Sequence, residues 1–107
     1  MINVDVKHDA FQGISDPTRR KILQLLTNNE MSIASITNQF TISRNAINKH
    51  LKILLSAGLV QKEISGREAL FMIEPKPLLE IKNWLSFFDK YWDKKLQNLK
   101  NFVESND

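Results

Sequence analysis

The chain has 107 residues, no cysteine and a formal net charge of +3, a size that fits one domain with a modest core. The absence of cysteine excludes disulfides, thiolate metal sites and cysteine nucleophiles. No apolar run approaches the roughly 20 residues that a membrane span needs, and the N-terminal residues lack the pattern of a signal peptide. We therefore expect a single cytoplasmic domain over residues 1–107.

The charges are distributed unevenly along the chain. Residues 16–67 carry eight basic and three acidic residues, or +5, whereas the remainder carries seven basic and nine acidic residues, or −2. Concentrated positive charge indicates an anionic partner for that segment. Charge alone is equally compatible with an ordinary solvated surface.

The first clear helix start lies at Asp16 and Pro17. The Asp16 side chain can cap the free amides of the first turn, and proline suits the first helical position. An apolar face follows, made of Ile22, Leu23, Leu25 and Leu26. A short helix before it places Phe11 and Ile14 for burial.

The next two helices are close together in the sequence. One opens at Ser32 and runs to Phe40, and after a short turn at residues 41–42 Ser43 caps another that ends at Gly58, a typical residue just past a helix C-terminus. Two helices joined by such a short turn have the proportions of a helix-turn-helix.

The helix that begins after Ser43 has two distinct faces. Ile47, Leu51 and Leu54 recur at steps of four and three and predict a core stripe. The other side carries side chains that can bond to bases or phosphates in a major groove, namely Arg44, Asn45, Asn48, Lys49 and Lys52. The same pattern describes any amphipathic helix with a solvated face, but the position in a tight helix pair favours DNA recognition.

A β-hairpin is predicted after Gly58. Residues 59–64 and 68–73 flank a turn at residues 65–67, where Gly66 permits a positive backbone angle. Lys62 and Arg67 would lie near its tip, as in a basic wing that touches the backbone or minor groove of neighbouring DNA. The alternative is a hairpin that only completes the core, and both readings are compatible.

Pro75 and Pro77 end the strand and precede one predicted long helix, from Leu78 to about Val103. Its apolar residues step by four or three, and further aromatic residues broaden the stripe: Ile81, Leu85, Phe88, Trp92, Leu96, Leu99 and Val103, with Trp84, Phe87, Tyr91 and Phe102. A small domain cannot bury so many, and a large exposed apolar patch marks an interface, so we expect a homodimer. The alternatives are a helix folded back on its own domain and an aromatic cofactor pocket.

An enzymatic function is not expected. The sequence contains no glycine-rich phosphate loop, nucleophile motif or paired histidine and carboxylate set, and no cofactor is predicted. His50 lies three residues after Ile47 and four before Leu54, on the inward side of its helix. We expect it to be a structural histidine bonded within the fold.

Taken together, these motifs resemble the ArsR family of bacterial winged-helix repressors over roughly residues 10–74. The resemblance rests on the order and spacing of Ser15-Asp16-Pro17-Thr18-Arg19-Arg20, Ile22-Leu23, Leu25-Leu26, Ser43, His50-Leu51, Leu54, Ala57-Gly58-Leu59-Val60, Gly66-Arg67 and Phe71. It implies a mainly α winged helix-turn-helix of order α-α-α-α-β-β-α with a long C-terminal dimerisation helix.

The resemblance also implies roles for individual residues. Residues 16–74 would form the DNA-binding core and wing, whereas residues 9–14 and 78–104 would form the dimerisation helices. DNA would be contacted by Ser43, Arg44, Asn45, Asn48, Lys49, Lys52, Lys62 and Arg67. Because family members pair through their first and last helices, the dimer interface would comprise Phe11, Ile14, Ile81, Trp84, Leu85, Phe88, Trp92, Leu96, Leu99 and Val103.

The chain departs from the metal-sensing members of that family. Residues 31–36 contain no cysteine pair, and the last helix has no histidine to join Asp89 and Asp93, so no metal site is expected. Asn48 stands where serine is frequent and Phe71 where tyrosine is common. The expected function is repression by a homodimer on an inverted-repeat operator, with autoregulation. The alternatives are a protein–protein interaction module and a regulator responding to an unidentified effector, and activation in place of repression stays open.

Overall fold

The computed structural model describes residues 7–105, and within them the predicted winged helix-turn-helix architecture is confirmed. Helices dominate, and a small antiparallel sheet lies beside them. The elements in chain order are α1 (Ala10–Gly13), α2 (Pro17–Leu26), β1 (Met31–Ser32), α3 (Ile33–Thr37), α4 (Arg44–Ser56), β2 (Val60–Ser65), β3 (Glu68–Ile73), α5 (Lys76–Ser86) and α6 (Asp89–Ser105).

The core lies between α2, α3, α4 and the sheet. The predicted stripe of α4, Ile47, Leu51 and Leu54, is fully buried. It packs in one cluster with apolar residues of α2, α3, β3 and the connection between α4 and β2, chiefly Ile22, Leu23, Leu26, Ile36, Leu59 and Phe71. Burial of one face leaves the polar face of α4 outside.

The sheet contains one strand that the sequence did not predict. Its order is β1-β3-β2, and β1 adds Met31 opposite Phe71 and Ser32 opposite Leu70. A strand of two residues is too short to show an alternating pattern. Ser32 still caps α3 as predicted, since its side chain accepts a hydrogen bond from the amide of Ser35.

The hairpin turn is tighter than predicted. Ser65 belongs to β2 and pairs with Glu68, so that only Gly66 and Arg67 form the loop. Gly66 has a φ of 63°, whereas Arg67 does not have a positive φ. A glycine at the first loop position is what a two-residue type II′ turn requires.

Helix α3 is shorter than predicted. It ends at Thr37 and not at Phe40. The Thr37 hydroxyl donates to the carbonyl of Ile33 at 2.7 Å, and the backbone hydrogen bonds shorten in span after Asn38. Gln39 and Phe40 donate to carbonyls three residues earlier, as in a 3₁₀ turn. The connection to α4 therefore covers residues 38–43.

The predicted long C-terminal helix is divided in two. The amides of Phe87 and Phe88 donate to carbonyls three residues earlier, and the Ser86 hydroxyl donates to the carbonyl of Lys82, so regular bonding lapses there. Helix α6 then begins at Asp89, an acidic residue that suits a helix N-terminus. Serine and aspartate around residues 86–89 were a signal of this break.

Helices α5 and α6 differ in their relation to the core. Ile81 of α5, predicted to lie in the dimer interface, is instead buried in the protomer's own core, at 9% exposure. Every residue of α6 is exposed, and the radius of gyration, 18.9 Å, exceeds the roughly 13 Å of a compact chain of this length. The alternative of a helix folded back on its own domain therefore does not hold for α6, whereas α5 does pack on that domain through Leu78 and Ile81.

Within residues 7–105, no helix combines the length and the apolarity that crossing a membrane requires.

Candidate nucleic-acid interface

The N-terminus of α4 is capped by the side chain of Ser43. Ser43 has an extended backbone, and its side-chain oxygen accepts a hydrogen bond from the amide of Ala46 at 3.1 Å. Such a cap satisfies one of the free amides of the first turn. It fixes the point where α4 begins, and so the direction in which Arg44 and Asn45 project into solvent.

Four of the predicted DNA-contacting side chains come together at one cleft. Its volume is about 260 Å³, and it runs between the first turns of α4 and the wing, where it is lined by Ile33, Arg44, Asn45, Asn48, Lys62, Ala69 and Phe71. We call this the recognition cleft. Lys49 and Lys52 lie on the exposed side of α4 outside it, and Arg67 lies in the hairpin loop.

Lys62 is held against the floor of the recognition cleft. Its strand position pairs with Phe71 across the hairpin, and its Nζ lies 5.9 Å from the centre of the Phe71 ring, within reach of a cation–π attraction. Phe71 is itself buried at 3% exposure, so it offers a fixed surface. The sequence analysis did not place Ile33, Ala69 or Phe71 at the site. Ala69 and Phe71 could have been found from the hairpin, because strand alternation puts them on the same face as Lys62.

The hairpin as a whole is not basic, contrary to the prediction. Lys62 and Arg67 are balanced by Glu63 and Glu68. Because neighbouring residues of a strand point to opposite faces, Glu63 lies on the face opposite Lys62. Only one face of the wing is therefore positive.

Arg19 does not contribute to a basic surface, although it is one of the eight basic residues in the net charge of residues 16–67. The side chain is buried at 9% exposure. Its Nε donates to the carbonyl of Gly13 at 2.8 Å, and its Nη2 donates to the carbonyl of Gln12 at 3.1 Å and to the Ser15 hydroxyl at 3.2 Å. Arg19 thus satisfies the carbonyls at the end of α1 and fixes α1 to α2.

His50 links α4 to the beginning of α2, which confirms the expectation of a structural histidine. Its Nδ1 lies 3.3 Å from Nη1 of Arg19 and 3.8 Å from Oδ2 of Asp16. The side chain is only 22% exposed. These contacts tie the inner side of the recognition helix to the cap of α2.

The cap of α2 carries a perturbed carboxyl group. Partial burial by itself raises the pKa of Asp16, but the amide of Arg19, the His50 ring, the amide of Thr18 and the Arg19 guanidinium outweigh it, and the pKa lies below the ordinary 3.8. The amide of Arg19 donates to Oδ2 at 3.0 Å. A lowered pKa in the folded state means that ionised Asp16 stabilises the fold.

Asp16→Ala is expected to lower the free energy of unfolding at pH 7 by about 1 kcal/mol, the usual value of a lost N-cap. The stabilisation is present above the unfolded-state pKa and is lost as the pH falls through the folded-state pKa, so the difference between wild type and variant should shrink below about pH 4. Urea unfolding across pH 3–7 measures it. Asp16→Asn is the control, since it caps without titrating. A difference that stayed constant down to pH 3 would contradict the role of the charge.

A second surface feature is an apolar face on α5 and α6. Ten large side chains there are between 51% and 81% exposed: Leu79, Trp84, Leu85, Phe87, Tyr91, Trp92, Leu96, Leu99, Phe102 and Val103. We call them the C-terminal apolar face. Trp84 packs edge-on against Phe11 of α1 at 5.5 Å and against Phe88 at 5.1 Å, so α1 borders this face.

No cluster of three or more histidine, cysteine, aspartate or glutamate side chains suited to a metal ion occurs among residues 7–105. Asp89 and Asp93 lie exposed on α6.

Comparison with known proteins identifies the chain's relatives. Residues 16–62 match the family described as "Bacterial regulatory protein, arsR family". The transcriptional repressor SdpR of Bacillus subtilis (strain 168) is 37% identical over 84 residues, which cover 78% of this chain and 93% of SdpR. The HTH-type transcriptional regulator Rv2034 of Mycobacterium tuberculosis (strain ATCC 25618 / H37Rv) is 27% identical over 96 residues, or 90% of this chain and 87% of that protein.

Solved structures show the same fold. A possible transcriptional regulator for arsenical resistance superposes with a TM-score of 0.74 at 32% identity, over 85% of this chain and 96% of that one. An ArsR-like transcriptional regulator from Rhodococcus sp. RHA1 superposes with a TM-score of 0.70 at 34% identity, over 89% and 87% of the two chains. The chain belongs to the ArsR family of DNA-binding transcriptional regulators, which are not enzymes.

Proposed function

We propose that this protein is a homodimeric repressor that binds an inverted-repeat operator in duplex DNA and regulates its own gene. The observation that carries the proposal is the recognition cleft. There Arg44, Asn45, Asn48 and Lys62 line one open surface at the N-terminal end of α4. In helix-turn-helix proteins, the N-terminal residues of the second helix are those that reach base edges in the major groove.

The side chains of α4 and the wing suit two different tasks. Arg44 can donate two hydrogen bonds to guanine, and Asn45 and Asn48 can each pair with adenine, so we assign them to base reading. The remaining cations suit phosphate contacts, which carry affinity without sequence preference: Lys49, Lys52 and Arg67 outside the recognition cleft, and Lys62 on its wing side.

The C-terminal apolar face supports dimerisation. Ten large apolar side chains of α5 and α6 are 51–81% exposed, and a large exposed apolar surface marks an interaction site. A second copy of the chain would cover them, with Phe11 of α1 and Ile14, the residue that follows α1, at the border. A two-fold dimer presents two recognition helices to half-sites about one DNA turn apart, which favours an inverted repeat.

The alternative functions receive less support. A module that contacts only protein would be expected to expose apolar residues on α4, but the exposed positions of that helix are Arg44, Asn45, Lys49 and Lys52. The alternative of an effector-responsive regulator requires a ligand site, and an aromatic hollow of about 430 Å³ lies between Trp84 and Trp92. It forms part of the C-terminal apolar face, which the proposed dimer would cover.

The test is selection of duplexes from a random library by the full-length protein, followed by fluorescence anisotropy on the selected duplex and on a scrambled one. We expect an enriched inverted repeat, saturable binding by two chains per duplex, and a preference of about 1,000-fold or more over the scrambled duplex. Equal, weak binding to both duplexes that disappears with added salt would overturn the proposal.

Lys62→Ala is expected to weaken binding to the selected and scrambled duplexes by the same factor. Each lost phosphate contact reduces the slope of log affinity against log salt by about 0.9, and a dimer loses two such contacts. Anisotropy titrations at several salt concentrations measure this slope. Lys94→Ala, which removes an exposed lysine of α6, is the control and should leave the slope unchanged. A loss confined to the selected duplex would instead assign Lys62 to base reading.

A further inference from the structure

Strand alternation gives the wing two chemically different faces. The cross-strand pairs Lys62–Phe71 and Ile64–Ala69 share one face, whereas Glu63 and Ser65 lie on the other. Lys62, Ala69 and Phe71 line the recognition cleft, so their face, which we call the cleft face of the wing, adjoins the polar side of α4. Glu68, paired with Ser65, also lies on the opposite face.

Ile64 is the outermost side chain of the cleft face. It is 68% exposed, whereas Val60 and Phe71 on the same face are 3% exposed. The face is thus buried beside the core and becomes exposed toward the hairpin tip. Single exposed apolar side chains are ordinary on protein surfaces. Ile64 differs from such isolated side chains because of its position on the cleft face of the wing. That face adjoins α4, and neither glutamate of the hairpin lies on it.

The neighbours of Ile64 are suited to hold it against DNA. Lys62 precedes it by two residues on the same face, about 7 Å along the strand, and Arg67 lies in the loop beyond it. A duplex that accepts phosphate contacts from these two cations would bring its groove wall to the isoleucine between them. The wing's two glutamates, on the opposite face, would not oppose this approach.

We propose that Ile64 enters the minor groove beside the half-site read by α4 and selects A·T base pairs there. The inference rests on the proposed function and adds a specificity-determining residue to it. In the minor groove, only the guanine amino group projects from the groove floor as a donor, and A·T pairs lack it. An isoleucine cannot accept a hydrogen bond from that amino group, and apolar side chains are known to enter minor grooves as wedges.

The experiment uses the selected duplex with each base pair flanking the half-site made A·T, G·C or inosine·C in turn. An inosine·C pair keeps the major-groove pattern of G·C but lacks the amino group in the minor groove. At one flanking position, the wild-type protein should bind the A·T and inosine·C duplexes equally and the G·C duplex about fivefold or more weakly.

Ile64→Ala should abolish this discrimination while binding two chains per duplex as before. Ile64→Val, which keeps an apolar branched side chain, should retain it, as should Ser65→Ala on the opposite face of the same strand. An undiminished G·C penalty in Ile64→Ala would overturn the inference, and so would a wild-type protein that binds all three flanks equally. A wild-type protein that does not distinguish selected from scrambled duplexes would overturn the proposed function itself.

Discussion

Replacing both Leu96 and Leu99 by glutamate is expected to convert the dimer to a monomer and to weaken binding to the selected duplex by about 100-fold or more, the gain that linking two binding modules supplies. The two leucines are 61% and 60% exposed within the C-terminal apolar face. A dimer interface there would bury two unpaired carboxylates in each protomer, and burying a charge without a partner costs several kcal/mol.

The protomer itself should tolerate this change. No residue of α6 is buried, so the core made by α2, α3 and α4 does not depend on it. Sedimentation equilibrium gives the oligomeric state, and circular dichroism checks the fold. Gln97→Glu with Asn101→Glu adds the same charge to α6 at exposed polar positions and serves as the matched control. A double variant of the leucines that still sedimented as a dimer would place the interface elsewhere.

Replacing both Asn45 and Asn48 by alanine is expected to lower affinity for the selected duplex by about 100-fold or more. A good base contact contributes about 1–3 kcal/mol of discrimination, and a dimer on an inverted repeat makes each contact twice. Both side chains are neutral, so their loss should leave scrambled-duplex binding and the salt dependence unchanged. This is the opposite of the pattern expected for Lys62→Ala.

Anisotropy on selected and scrambled duplexes at one salt concentration separates the two patterns. Asn98→Ala, at an exposed position on α6, is the neutral control. The double variant should be as stable as the wild-type protein, so a loss of affinity would not reflect unfolding. Asn45 is exposed, Asn48 is half-buried, and neither side chain makes a hydrogen bond within residues 7–105. An equal loss on both duplexes would mean that the asparagines position the helix and do not read bases.

The boundaries of α4 itself were predictable from sequence because their determinants are local. Ser43 caps α4 as expected, and Gly58, with a φ of 71°, follows its end. The stripe of Ile47, Leu51 and Leu54 was likewise predictable, since a helical period is set by residues a few positions apart. The same holds for strands β2 and β3.

The sequence could not assign roles to residues whose partners are distant in the chain. Arg19 reads as a surface cation, but its guanidinium is used by the carbonyls that end α1 and by His50. Ile81 reads as one more residue of the α5–α6 stripe, yet it is the one that reaches the core. Strand β1 exists only because β3 lies beside it.

For this protein, the sequence by itself determined where α2 and α4 begin, where the hairpin lies and which side chains of α4 are polar, because caps, turns and periodicity act within a few residues. Only the tertiary structure decided that α4 and the wing share a cleft, that the wing's charges separate onto two faces, and that every residue of α6 is exposed. Those properties depend on which faces pack together, and packing is settled by contacts between residues far apart in the chain.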